Sequence, residues 1–195
     1  MKKENIPNAL TIGRILVIPI FILLLTLWNN AISHTLAAII FALASITDYL
    51  DGYLARKLKL TTKFGAFLDP VADKIIVCTA LLLIVEHYSL YPDQIYHYLG
   101  KFITIPAMII IAREITVSAL REWMAELGKR ASVAVSWIGK WKTTIQLVAI
   151  AGLIWRNDEI MIYAGVIALN IATVLTIWSM LMYLKAGWVY MKDEK

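Results

Sequence analysis

The sequence predicts an all-α integral membrane protein of about six transmembrane helices, and three observations predict it. Of its 195 residues, 60% are hydrophobic, and the mean hydropathy is +0.70. A soluble domain of this size does not bury that much apolar surface. The apolar residues fall into runs long enough to span a bilayer, joined by short polar connections. Lys and Arg collect on alternate connections, as they do when successive helices cross a membrane in opposite directions.

The spans expected are 8–28, 34–56, 64–86, 101–124, 134–155 and 160–185. The first follows Lys2 and Lys3, which alone would suit a secretion signal. Its polar lead (Asn8, Thr11, Arg14) and the lack of a small-residue cleavage site read instead as a retained helix. The connections are short, with no linker, repeat or low-complexity stretch, so residues 1–195 form a single membrane domain in this reading.

Orientation follows from the cations. With the N-terminus inside, the inner segments carry Lys2, Lys3, Arg14, Arg56, Lys57, Lys59, Lys63, Lys129, Arg130, Lys140, Lys142, Lys185, Lys192 and Lys195. The outer loops, near 29–33, 87–100 and 156–159, hold little beyond Lys101 and Arg156. Both termini are therefore placed in the cytoplasm. His34, His87 and His97 fall near the outer loops, away from an inner-face site. Trp28, Tyr88, Tyr91 and Trp155 at one end and Trp123, Trp137, Trp141 and Trp188 at the other read as interfacial belts. The net charge of +5 does not point to nucleic acid, because the basic residues sit where topology and anionic lipid account for them. The single cysteine, Cys78, lies in an apolar run and reads as core filler.

The chemistry concentrates in TDYLDGYLARKLKLTTKFGAFLDPVADK, residues 47–74. Asp48, Asp51, Asp69 and Asp73 sit in or at the edge of apolar helices, where an ionised carboxylate is costly and signals function. Asp48 and Asp51 are i, i+3 and share a face; Asp69 and Asp73 are i, i+4 and share another. Asp48 lies about nine residues before the basic turn and Asp73 about nine after it, so both reach a depth on the order of 13 Å. Two antiparallel helices then aim four acids at one another. Arg56 and Lys74 are too few to neutralise four carboxylates. Oxygen ligands favour hard divalent cations, Mg²⁺ or Mn²⁺, and two ions would balance the charge and leave positions for a pyrophosphate. Gly52, Ala55 and Gly65 keep side chains off the acid-bearing faces, which suits close helix packing or a ligand's approach.

The pattern D-x2-D-G-x2-A-R-x8-G-x3-D-x3-D, met by Asp48, Asp51, Gly52, Ala55, Arg56, Gly65, Asp69 and Asp73, resembles the signature of the CDP-alcohol phosphatidyltransferase family at every fixed position. The resemblance implies six transmembrane helices around a polar active-site cavity open to the cytoplasm. It implies that Asp48 and Asp51 bind metal, that Asp69 bridges two metals, and that Asp73 binds the second metal and acts as general base. It assigns Gly52, Arg56, Thr62 and Gly65 to the cytidine diphosphate moiety of CDP-diacylglycerol. The lead NIPNALTIGR resembles the family's own, in which Asn8 and Thr11 help close over the nucleotide; Asn8 reads equally as a helix N-cap. The resemblance further implies a homodimer in a bacterial plasma membrane.

The acceptor is read from AREITVSALREW and GKWKTTIQ. Arg113 and Arg121 are i, i+8 on one face, with Glu114 beside them; Lys140 and Lys142 open the next helix. Guanidinium forks suit a phosphate dianion, so these four cations are the candidate acceptor-phosphate ligands. Snorkelling at a membrane interface is the plainer account of them. The stretches resemble family members whose acceptor is sn-glycerol 3-phosphate. Inositol phosphate and phosphatidylglycerol are the rival acceptors. A divalent-cation transporter is the rival outside the enzymes, and the almost purely apolar outer halves of the helices disfavour it.

Overall fold

In a computed structural model, residues 6–28, 30–58, 63–90, 94–129 and 137–192 are described. Within them, the side chains at 6–10, 49–58, 63–67, 69, 90, 94–97, 137–138, 140 and 191–192 are not. Six helices follow in chain order: α1 Ile6–Thr26, α2 Ala31–Leu58, α3 Lys63–Leu90, α4 Gln94–Glu126, α5 Trp137–Trp155 and α6 Glu159–Lys192. No strand occurs among the described residues. Ala31–Asp48, Tyr98–Glu126 and Glu159–Tyr190 are long and apolar enough to cross a membrane, and Thr11–Thr26 is a shorter apolar stretch. The chain is an all-helical membrane protein.

The helices outrun the apolar windows that predict them. The outer loop expected at 87–100 is mostly helical, since α3 continues to Leu90 and α4 begins at Gln94. Hydropathy reports where a helix leaves hydrocarbon, whereas the backbone hydrogen bonds that define a helix persist into the polar zone.

Helix ends are set by local chemistry. Asn30 caps α2: its Oδ1 accepts from the Ser33 amide at 2.9 Å, and its own amide donates to Ser33 Oγ at 3.0 Å. This reciprocal pair satisfies two amides that no helical carbonyl reaches. Asp158 Oδ1 accepts from the Ile160 amide at 2.9 Å and caps α6. At the end of α4, Gly128 adopts φ +70. The Gly128 amide donates to Ala125 at 3.0 Å and the Lys129 amide to Met124 at 2.8 Å, a Schellman stop.

The chain divides into two compact units, Met1–His87 with Ile150–Tyr163, and Tyr88–Ala149 with Ala164–Lys195. In the first, α1 packs on α2, and Phe21 and Phe41 meet with ring centroids 6.3 Å apart. Ala72, Ile76, Ala80, Leu81 and Ile84 bury one stripe of α3. The turn after α5 is tied to the start of α2: Arg156 Nε donates to His34 Nε2 at 3.2 Å and Asn157 Nδ2 to Thr35 Oγ1 at 2.9 Å. Arg156 itself holds φ +32, which an arginine seldom adopts. Next to it, His87 is pushed down to about 3, by burial first and then by the charges of Arg156 and His34. His34 and His87 meet here with ring centroids 6.4 Å apart and belong to this structural joint.

In the second unit, Val117, Leu120, Met124 and Tyr183 form a buried cluster between α4 and α6. A Cβ on Gly187 would sit 2.8 Å from Leu120 Cδ1, so glycine permits this close approach. Contacts pair Phe102 with Asn170, Arg113 with Ser179 and Arg121 with Tyr183, so α4 and α6 run parallel here.

Candidate functional site

The first candidate group lies in the unit containing α1, α2 and most of α3. Asp48 projects from the middle of α2, and Arg14 reaches it from α1 as an ion pair. The Arg14 side chain is 2% exposed and that of Asp48 36%. A buried guanidinium without a counter-charge is expensive, so the pair fixes where both side chains point. Asp73 is exposed on α3, and Lys74 donates to the Pro70 carbonyl at 2.8 Å. Thr11, one turn before Arg14, is fully buried.

The remaining members of the motif, Asp51, Gly52, Ala55, Arg56, Gly65 and Asp69, and Asn8 of the lead, fall on helical backbone whose side chains lie outside the described residues. Thr62 lies outside the described residues altogether. Asp48 and Asp73 offer oxygen donors only, the donor chemistry that suits a hard divalent cation. His34 stands fourteen residues before Asp48 on the same helix, about 21 Å along its axis, well away from that carboxylate.

The second candidate group lies in the unit containing most of α4 and α6. Arg113, Lys142 and Ser179 are all buried. Glu114 Oε1 accepts from Arg113 Nη1 at 2.9 Å and from Lys142 Nζ at 2.8 Å. Arg113 Nη2 donates to Ser179 Oγ at 3.4 Å, and Arg121 Nη2 to the Tyr183 hydroxyl at 3.1 Å. The Tyr183 ring lies 5.9 Å from the Arg113 guanidinium carbon and 5.2 Å from that of Arg121. One aromatic ring thus spaces two cations that sequence periodicity had placed on a shared face. Among the described residues, Nε of Arg113 and Nε of Arg121 are buried and make no hydrogen bond. Such donors mark a place where a ligand, ion or water belongs. The Lys140 side chain lies outside the described residues.

The model of the CDP-alcohol phosphatidyltransferase family matches residues 4–182. The chain belongs to that family. It is accordingly a transferase. Curated relatives agree over nearly the whole length. A protein of Haemophilus influenzae named CDP-diacylglycerol–glycerol-3-phosphate 3-phosphatidyltransferase is 55% identical over 185 residues, covering 95% of this chain and 94% of its own. The Escherichia coli K12 protein of the same name is 51% identical over 193 residues, covering 97% and 98%. The Salmonella paratyphi A protein of that name is 52% identical over 186 residues, covering 94% of each chain.

Sequence reasoning missed four side chains that the two groups use. Arg14 reads as part of a polar lead, and its partner is 34 residues away, beyond any periodicity argument. Glu114 is noticed in the sequence only as a neighbour of Arg113. Ser179 and Tyr183 sit in the apolar run of the last helix, where hydropathy conceals them. An arginine in a first span and a tyrosine and serine in a last one were the available signals, since polar groups within spans are costly unless used.

Proposed function

We propose that this chain transfers the phosphatidyl group of CDP-diacylglycerol to sn-glycerol 3-phosphate, giving phosphatidylglycerophosphate and CMP. One observation supports the acceptor above all. Arg113, Arg121 and Lys142 gather three positive side chains around the one carboxylate of Glu114, and the buried Nε atoms of both arginines make no hydrogen bond among the described residues. That complements a phosphate monoester dianion, and it does not suit an uncharged alcohol such as serine. The names of the relatives point to the same acceptor.

In this reading Asp48, Asp51, Asp69 and Asp73 hold two divalent cations, Mg²⁺ or Mn²⁺. When bound, these supply neutralisation of the phosphoryl oxygens and of the leaving group. The chain's own residues do the rest. Gly52, Arg56, Thr62 and Gly65, with Asn8 and Thr11, bind the cytidine diphosphate moiety. Arg14 orients the Asp48 carboxylate. Arg113 and Arg121 hold the acceptor phosphate, while Glu114 and Lys142 hold Arg113 in place. The acceptor hydroxyl oxygen bonds to the lipid-side phosphorus, the bond from that phosphorus to CMP breaks, and Asp73 takes the hydroxyl proton. The site faces the cytoplasm in a bacterial plasma membrane.

Purified protein given CDP-diacylglycerol and one acceptor at a time tests this. CMP release is expected with sn-glycerol 3-phosphate. Release with inositol phosphate or phosphatidylglycerol, and none with sn-glycerol 3-phosphate, overturns the acceptor.

A further inference from the structure

Two buried polar atoms remain unused. Gln146 on α5 is 3% exposed and Thr176 on α6 is 0% exposed. Gln146 Oε1 and Thr176 Oγ1 have no hydrogen-bond partner among the described residues. Thr176 differs from other threonines of its unit. Thr116, Thr143 and Thr173 each donate to the carbonyl four residues back, at 2.8, 2.9 and 2.8 Å. That bond is the ordinary refuge of a hydroxyl inside a membrane helix. A threonine that forgoes it, in a unit that also holds an unpartnered buried amide oxygen, points to a polar ligand.

Each residue stands one helical turn along its own helix from a member of the charged cluster. Gln146 follows Lys142 by four residues, and Thr176 precedes Ser179 by three, about 5 Å along each helix. Lys142 and Ser179 both touch the Arg113–Glu114 pair. Helix α6 runs parallel to α4, and α5 returns antiparallel as consecutive spans do. Later residues of α5 and earlier residues of α6 therefore advance together, away from Arg121 and Tyr183.

We propose that Gln146 and Thr176 read the middle hydroxyl of the acceptor while Arg113 and Arg121 hold its phosphate. This rests on the acceptor reading above. In a glycerol phosphate, phosphorus and the middle hydroxyl are separated by roughly one helical turn, ~5 Å. The terminal hydroxyl is the nucleophile, so the middle one forms no bond in the reaction and is available for recognition. A hydroxyl both donates and accepts. Gln146 Oε1 takes its hydrogen, and the Thr176 hydroxyl donates to its oxygen. A site built this way rejects an acceptor lacking that hydroxyl, because both protein groups are then left buried and unpaired.

The test compares kcat/KM for sn-glycerol 3-phosphate and for 3-hydroxypropyl phosphate, the same chain without the middle hydroxyl. The unaltered protein is expected to prefer the former by about 10²-fold or more. Gln146→Leu and Thr176→Val each reduce that preference to within about tenfold, Thr176→Ser preserves it, and the KM for CDP-diacylglycerol stays unchanged. Thr176→Val keeps the side-chain shape, so it decides the matter if Gln146→Leu does not fold. A preference unchanged in Thr176→Val, or absent from the unaltered protein, overturns the inference alone. No turnover of either acceptor by the unaltered protein overturns the acceptor reading and this inference with it.

Discussion

Arg14 of α1 and Asp48 of α2 form an ion pair in which the cation is almost wholly buried and the acid is one-third exposed. The first helix thereby supplies a positive charge to the acid-rich segment. Removing the acid takes from a buried guanidinium the carboxylate it is paired with.

Asp48→Asn should therefore destabilise the fold. With Asp48 partly solvated, the cost is about 2 kcal/mol, below the value for a fully buried pair. That corresponds to a Tm lower by roughly 4–8 °C in detergent, measured without added metal. A Tm equal to that of the unaltered protein would show that the Arg14 pair contributes nothing.

Asp73→Asn should lower turnover by about 10³-fold or more, because it removes both the base and a proposed metal ligand. Binding of CDP-diacylglycerol, followed by equilibrium binding of a labelled lipid, should largely survive. Loss of lipid binding in parallel with turnover contradicts the role given to Asp73.

Arg113→Ala should raise the KM for sn-glycerol 3-phosphate by about 10–100-fold, the value of one charge-assisted hydrogen-bonding group. The KM for CDP-diacylglycerol should change by less than about threefold. Equal increases for both substrates would argue against a separate acceptor site.

Glu114→Gln removes the carboxylate that Arg113 and buried Lys142 share. The expected cost is about 3–5 kcal/mol, read as a large fall in Tm. Pairing the change with Lys142→Met should recover part of it, as a double-mutant cycle reports for groups in direct contact. Additive losses would mean that Glu114 does not serve as the shared counter-ion.

The legible part of this protein was what periodicity and hydropathy carry. Apolar runs gave the six helices, and the shared face of Arg113 and Arg121 reappears as two cations on one Tyr183 ring. Helix ends were less legible, because His87 through Leu90 are not apolar enough to be counted in a span yet remain helical. Tertiary partners were illegible. Nothing in the spacing of Arg14 announces Asp48, and nothing in Thr176 separates it from Thr173 until the local hydrogen bonds are seen to differ. Lys142 looked like an anion ligand, and its pairing with Glu114 makes it equally a support for the neighbouring arginine.

Transfer of label from radioactive sn-glycerol 3-phosphate into the lipid phase, with purified protein, CDP-diacylglycerol and Mg²⁺, tests the central claim most directly. Label should enter lipid one-for-one with CMP released, and excess chelator should stop both. Label that stays in water while CMP accumulates, or transfer that proceeds undiminished with chelator, contradicts a metal-dependent phosphatidyl transfer to this acceptor.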